Sequence, residues 1–300
     1  MKRIYLLTIF MIPLLCLKIS YATTYISECS LIDKSYETYI LKNDIISSTA
    51  YCFYITATNV VIDCQNHKID GKGSGYYGIA IISFVPRVTN VTIKNCVVQG
   101  WKEGIWVTRS DLNNLQNLSL SSNEFGIELE SSGSNTITNI NTYNNKYYGI
   151  ILKYSNSNKI ENVSSENNDV GIVLWSSDYN QVRNSIIKNN RAFGIDIWSS
   201  KQNMFSGNTL INKNNVRLRD AGKNFWNSEL KGNYWGNLEG TGFSDRCYDL
   251  DRNGICDRRY ELDDNNIDYL PIANKEKSWR DFTAFLAGFF ILLVLLFLPE

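Results

Sequence analysis

A four-residue phrase recurs between residues 104 and 218 at an almost fixed interval. It reads Gly104-Ile105-Trp106-Val107, Gly126-Ile127-Glu128-Leu129, Gly149-Ile150-Ile151-Leu152, Gly171-Ile172-Val173-Leu174, Gly194-Ile195-Asp196-Ile197 and Asn215-Val216-Arg217-Leu218, with steps of 22, 23, 22, 23 and 21 residues. Asn113, Asn135, Asn158, Asn180, Asn203 and Asn224 keep the same step, each two places before an apolar residue, the last of which is Trp226. Two interleaved columns with one period define a solenoid whose coils bury their apolar sides only against neighbouring coils.

Each coil holds short alternating runs of Ile, Val and Leu with polar residues, separated by Ser, Asn and Gly. That is strand patterning broken by turns, and no coil offers ten residues at helical spacing. Three short strands and three turns use up about 22 residues at roughly 3.3 Å per strand residue. The expected fold is therefore all-β, a single-stranded parallel β-helix with a cap at each end. The glycine before each inward Ile suits a turn with positive φ, a region Asn215 also tolerates. The Asn column is expected in stacked turns, bonding from coil to coil.

Lys plus Arg equals Asp plus Glu at 30 each, which leaves no field to attract nucleic acid. One histidine, His67, argues against an imidazole-rich metal site and a Ser-His catalytic centre. Residues 1–22 read as an export signal: Lys2 and Arg3, an apolar run from Ile4 to Leu17, then Ser20-Tyr21-Ala22. Removing it also removes Cys16 and leaves six cysteines: Cys29, Cys52, Cys64, Cys96, Cys247 and Cys256. An exported chain makes disulfides their expected state. Cys247 and Cys256 flank one short loop and are expected to pair. Three pairings are open for the other four, of which Cys29–Cys52 with Cys64–Cys96 would staple the cap and the first coils. Asn90, Asn117 and Asn162 open glycosylation triplets.

Residues 23–58 lack the Gly-Ile column and are expected as an N-terminal cap, residues 59–224 as the coils and residues 225–274 as a C-terminal cap. The opening Asn59-Val60-Val61-Ile62-Asp63-Cys64, the segment Asn90-Val91-Thr92-Ile93-Lys94-Asn95-Cys96, Gly232-Asn233-Tyr234-Trp235-Gly236-Asn237, and the closing runs Asp249 to Asp257 and Asp268-Tyr269-Leu270-Pro271 resemble the NosD-like, CASH-type right-handed β-helix proteins of archaeal and bacterial surfaces. The resemblance covers nearly all of the mature chain up to Ile272. It implies the right-handed pectin-lyase-like fold and an extracytoplasmic location. It implies little about activity, because this fold carries lyases, hydrolases, binders and structural parts. Copper delivery, which the family name suggests, finds one His and no free Cys for ligands.

Three surface features carry chemistry. Asp249, Asp251, Asn253, the Ile255 carbonyl and Asp257, with Gly254 at the sixth place, follow the first part of an EF-hand-type loop, so a structural Ca2+ is expected there. Tyr260 stands where the bidentate acid of a full loop belongs, and Glu261, Asp263 or Asp264 would have to replace it. Trp175 and Trp198 share one outward position on consecutive coils, and Trp106 projects one position earlier; the three are a candidate surface for a glycan or a protein, against the plain alternative of rings packing on one another. Glu128 and Glu130 lie on one strand roughly 7 Å apart, near the spacing of an inverting glycosidase. Lys153 follows Glu130 in its column and Arg217 follows Asp196, which is also how a sheet face balances charge.

Residues 275–281 form a charged linker, and Phe282–Leu298 runs 17 residues without a charge, about 25 Å as a helix against a bilayer core of about 30 Å. The expectation is a membrane anchor over 282–298. The functional expectation is a non-catalytic cell-surface protein that binds a glycan or a protein partner or serves the envelope structurally. Its rival is a polysaccharide-acting lyase or hydrolase using Glu128 and Glu130.

Overall fold

A computed structural model describes residues 22–83 and 86–274. The export signal and the membrane anchor both lie outside the described residues, except that Ala22 is included. Among the described residues, 21 strands pair into one continuous parallel sheet wound into a right-handed β-helix. The only other elements are an antiparallel hairpin, Tyr260–Asp263 with Asn266–Asp268, and the one-turn helix Phe243–Arg246. One inward column follows the register through nine coils: Ile32, Ile55, Ile81, Val107, Leu129, Leu152, Leu174, Ile197 and Leu218. All but Leu218 are buried. Each such Ile or Leu contributes about 1.5–3 kcal/mol by leaving water.

Every coil must also turn, and a turn brings polar backbone to the core edge. The Asn columns solve this. The Asn158 Oδ1 accepts from both the backbone N (2.8 Å) and the Nδ2 (3.0 Å) of Asn135, one coil earlier. Its own N and Nδ2 donate to Asn180 Oδ1 at 2.8 and 3.1 Å, and the Nδ2 also reaches the Ser132 carbonyl at 3.1 Å. A second buried ladder climbs through Asn123, Asn145, Asn168, Asn190 and Asn212. A third runs from Ser185 through Asn208 and Asn233 to Asp268. The closing hairpin thus supplies Asn266 and Asp268, which accept the last backbone N–H of two ladders.

The repeated glycines have a different cause from the one expected. None of Gly104, Gly126, Gly149, Gly171 or Gly194 has positive φ. A Cβ on Gly149 would lie 2.4 Å from Ser165 Oγ and 2.6 Å from the Gly171 carbonyl, so close stacking of coils excludes a side chain. Left-handed positions are held by other residues, among them Asn95, Asn117, Asn139, Asn162 and Asn184, which form a column exposed from Asn117 onward. Asn tolerates this region because its short side chain bonds locally. The triplet residues Asn117 and Asn162 belong to that column.

Residues 23–58 close the N-terminal end by coiling rather than by a separate fold: Ala22–Ile26 pairs in parallel with Glu37–Leu41, which pairs with Val60–Asp63. The three disulfides are Cys29–Cys52, Cys64–Cys96 and Cys247–Cys256. The first two join adjacent coils at sequence separations of 23 and 32.

Asn158→Ala strands two buried donors of Asn135, at about 1–3 kcal/mol for each unsatisfied group. Urea unfolding is expected to show a loss of roughly 3 kcal/mol for Asn158→Ala. Asn139→Gly, which keeps the left-handed turn and exposes its partner to water, is expected within about 0.5 kcal/mol of the parent. Equal losses would mean that the buried ladder is not what holds the turns.

Candidate functional site

The strands that begin at the Gly-Ile phrase stack into one long sheet with three outward columns. The middle column is Trp106, Glu128, Ile151, Val173, Asp196 and Arg217. One flank is Tyr77, Glu103, Phe125, Tyr148, Val170 and Phe193. The other is Thr108, Glu130, Lys153, Trp175, Trp198 and Arg219. Ile151 and Val173 face outward yet are buried, because Phe125, Tyr148, Val170, Ala192 and Phe193 pack around them. This face therefore has an acidic end, an apolar middle and a basic end.

At the basic end both arginines clamp one acid. Arg217 reaches Asp196 through Nε (3.0 Å) and Nη2 (2.6 Å), and Arg219 does so at 3.3 and 2.6 Å. The guanidinium of Arg217 lies 4.1 Å from the Phe193 ring centroid and that of Arg219 4.3 Å from Trp198. Trp175 and Trp198 stack with centroids 4.8 Å apart and planes 8° from parallel. Arg219 covers the outer face of Trp198, and Lys153 and Tyr154 lie beside Trp175. The pair consequently offers a ligand ring edges rather than open faces.

At the acidic end Trp106 stacks on Tyr77 (4.7 Å, 13°), and no second ring or cation covers it among the described residues. Glu128 stands one coil on from Trp106 and binds Lys153 Nζ at 2.7 Å. Lys153 is in register with Glu130, but its ammonium goes to Glu128, and Glu130 has no ion pair among the described residues. The acid the sequence reading passed over is Glu103. It is 7% exposed, and its Oε2 is buried without a hydrogen-bond partner. Burial, reinforced by the nearby Glu128 carboxylate, pushes its carboxyl up to about 7, with Lys102 and Lys153 opposing and Glu130 adding. Its position is apolar in the four later coils, where Phe125, Tyr148, Val170 and Phe193 stand. An acid in that column was the available signal.

The acidic loop near the C-terminus is closed by Cys247–Cys256. Asp249 Oδ2 accepts from Gly254 N at 3.0 Å, Asp251 from Asn253 N at 3.2 Å, Asn253 from Ile255 N at 2.8 Å and Asp257 from Leu250 N at 3.2 Å. Asp249 Oδ1 is buried without a partner. Tyr260 stacks on Trp235 instead of ligating, Glu261 pairs with Arg259, and Asp263 bonds Asn266. Among the described residues no group of three or more His, Cys, Asp or Glu side chains converges as a metal site.

Residues 40–240, more than half of the chain, match the family described as "Periplasmic copper-binding protein (NosD)". The chain belongs to the NosD family. The copper in that description does not fit the donors of this member. His67, the sole histidine, bonds Asp44, and all six cysteines among the described residues form disulfides. Among curated proteins no sequence matches. Solved structures share the fold of this NosD-family chain. The enzymatically active domain of bacteriophage CBA120 tailspike protein 2 aligns with a TM-score of 0.57 at 13% identity, over 73% of this chain and 38% of its own. The Dettilon tailspike protein gives 0.52 at 13% identity, over 73% and 56%. A variant of the periplasmic alginate epimerase AlgG gives 0.51 at 17% identity, over 68% and 66%. This chain spans well under half of that first tailspike domain.

A folded-state value above the ordinary carboxylate value means that folding takes up a proton at Glu103 between about pH 4.5 and 7. The stability this supplies is full below about pH 4.5 and is lost as pH rises through about 7. Gln stands in for the protonated acid. Glu103→Gln should match the parent near pH 4 and exceed it by roughly 3 kcal/mol at pH 8. Parallel stability curves for the two proteins across that range would contradict this.

Proposed function

We propose that this NosD-family protein is exported and engages a glycan along the outward face of its Gly-Ile sheet, at the acidic end. The carrying observation is the Trp106–Tyr77 stack bordering Glu103, Glu128 and Glu130 on consecutive coils. Sugar rings present C–H faces that suit an aromatic ring and hydroxyls that donate to carboxylates. Trp106 has one ring face without an aromatic partner, on the side of the coil that carries Glu128. The edges of Trp175 and Trp198 extend the same wall two coils beyond Lys153's neighbourhood. Export is supported by the family's periplasmic description and by three disulfides, which persist in oxidising compartments. Among the described residues no helix is long and apolar enough to cross a membrane. Attachment through residues 282–298 therefore rests on the sequence. A glycan-array screen followed by titration of the strongest hit tests the reading. Trp106→Ala is expected to lose about 2 kcal/mol, roughly thirtyfold in affinity, because one residue anchors the sugar ring. Binding unaffected by Trp106→Ala and lost in Trp198→Ala would move the site to the basic end.

We also propose that the loop from Asp249 to Asp257 takes a structural Ca2+. Its support is the spacing of oxygen donors and the buried, unpartnered Asp249 Oδ1. Asp249, Asp251, Asn253 and Asp257 would hold the ion with the Ile255 carbonyl, and the ion would tie the cap to the disulfide loop. A chelator should then speed hydrogen exchange over residues 245–270 while the coils stay protected. Unchanged exchange there would leave the loop as a hydrogen-bonded acidic turn.

A further inference from the structure

We infer that Glu103 and Glu128 form an acid–base pair that hydrolyses the glycosidic bonds of a neutral polysaccharide lying against Trp106. The inference rests on the glycan reading above and goes beyond binding to turnover. Three observations carry it. Glu103 is more than nine-tenths buried between coils bearing Tyr77 and Phe125 at the same register position, and its Oε2 meets no partner. An orphaned acid oxygen costs stability and persists where it serves a site. Glu128, slightly more buried still, is instead fixed by an ion pair with Lys153 at 2.7 Å. The two backbones stand one coil and three residues apart, roughly 10–11 Å by strand geometry, with Trp106 on the coil of Glu103 and in register with Glu128.

These two environments separate the roles. Glu103, kept protonated near neutral pH by burial and by Glu128, is the proton donor. Its proton goes to the glycosidic oxygen as the bond from that oxygen to the anomeric carbon breaks. A water molecule forms the new bond to the anomeric carbon and gives its proton to Glu128. Exchange with solvent returns a proton to Glu103 and removes one from Glu128, so only water is consumed. Lys102, Lys153 and Glu130 are the other charged groups facing Glu103, and Tyr77 is the neighbouring phenol.

Charge selects the substrate class. Three carboxylates meet here against two ammoniums, those of Lys102 and Lys153, and Lys153 is already committed to Glu128. Arg217 and Arg219 lie five coils along from Trp106 and are both spent on Asp196. A uronate chain would bring its own carboxylates into this net negative field, where Lys102, over the Tyr76 ring, is the one nearby ammonium without an ion pair among the described residues. Elimination, which needs that carboxylate neutralised, is disfavoured for the same reason. The polymer expected is uncharged.

The test incubates the full chain with soluble β-1,3-glucan, galactomannan and arabinoxylan, with alginate and polygalacturonate as anionic counterparts. Reducing ends are counted, and binding is followed by affinity electrophoresis. At least one neutral polymer should be bound and cut, neither anionic polymer should be, and cleavage should fall above about pH 7 as Glu103 loses its proton. Glu103→Gln should cut at least about 100-fold more slowly with binding within about threefold. Glu128→Gln should do likewise, which covers the case in which the first variant misfolds. A neutral polymer that is bound but not cut overturns the hydrolysis and leaves the binding reading standing. Binding of an anionic polymer alone overturns the hydrolysis and leaves glycan binding standing, and binding of no polymer overturns both. Undiminished cleavage in folded Glu103→Gln overturns the assignment of the proton donor.

Discussion

The coil-to-coil hydrogen bond between asparagine side chains is the interaction on which this molecule depends. A β-helix of this width buries only a few apolar residues per strand, so the turns cannot be left to water. Each ladder Asn uses its carbonyl oxygen for two donors of the preceding coil and its amide for the next, as Asn135, Asn158 and Asn180 illustrate. No other side chain of this size both accepts and donates in that pattern. The series must also end, and Asp268 ends one of them. A carboxylate only accepts, so it takes the last N–H of Asn233 and the indole N–H of Trp235 without requiring a further coil.

Because the ladders and the inward column fix the fold, the outward residues of the Gly-Ile sheet are free to vary from coil to coil. The variation is ordered along the axis: Trp106 with Glu128 first, Ile151 with Val173 next, then Asp196 with Arg217. The basic end is fully satisfied, both arginines meeting one acid and their flat faces resting on rings. The acidic end is not, since Glu103 is buried without a partner and Glu130 lacks an ion pair among the described residues. Local conflict within an otherwise consistent fold is where function is expected.

The period, the Asn column from Asn113 to Asn224 and the inward Ile were legible from the sequence because identical turns impose identical residues, whereas the other ladders emerge only from the stacking. The reason for the glycines was not. Gly149 reads as a turn residue until the next coil's carbonyl and Ser165 are seen against its missing Cβ. The pairing of the four N-terminal cysteines depended on which turns stack, and the stacking selects Cys29–Cys52 and Cys64–Cys96. The candidate site was half legible. Glu128 and Glu130 stand out within one strand, but Glu103 precedes the glycine and meets them only through the neighbouring coil. Trp175 and Trp198 were visible as a column, whereas the guanidinium closing their stack belongs to a coil whose Gly is replaced by Asn215.

The most direct measurement is a crystal structure of the β-helix domain soaked with a neutral oligosaccharide. The account predicts a sugar ring against the open face of Trp106, with a glycosidic oxygen within hydrogen-bonding distance of Glu103 and density on no other face of the coils. A sugar seated instead at the Arg217–Arg219 end, or on another face of the coils, would contradict it.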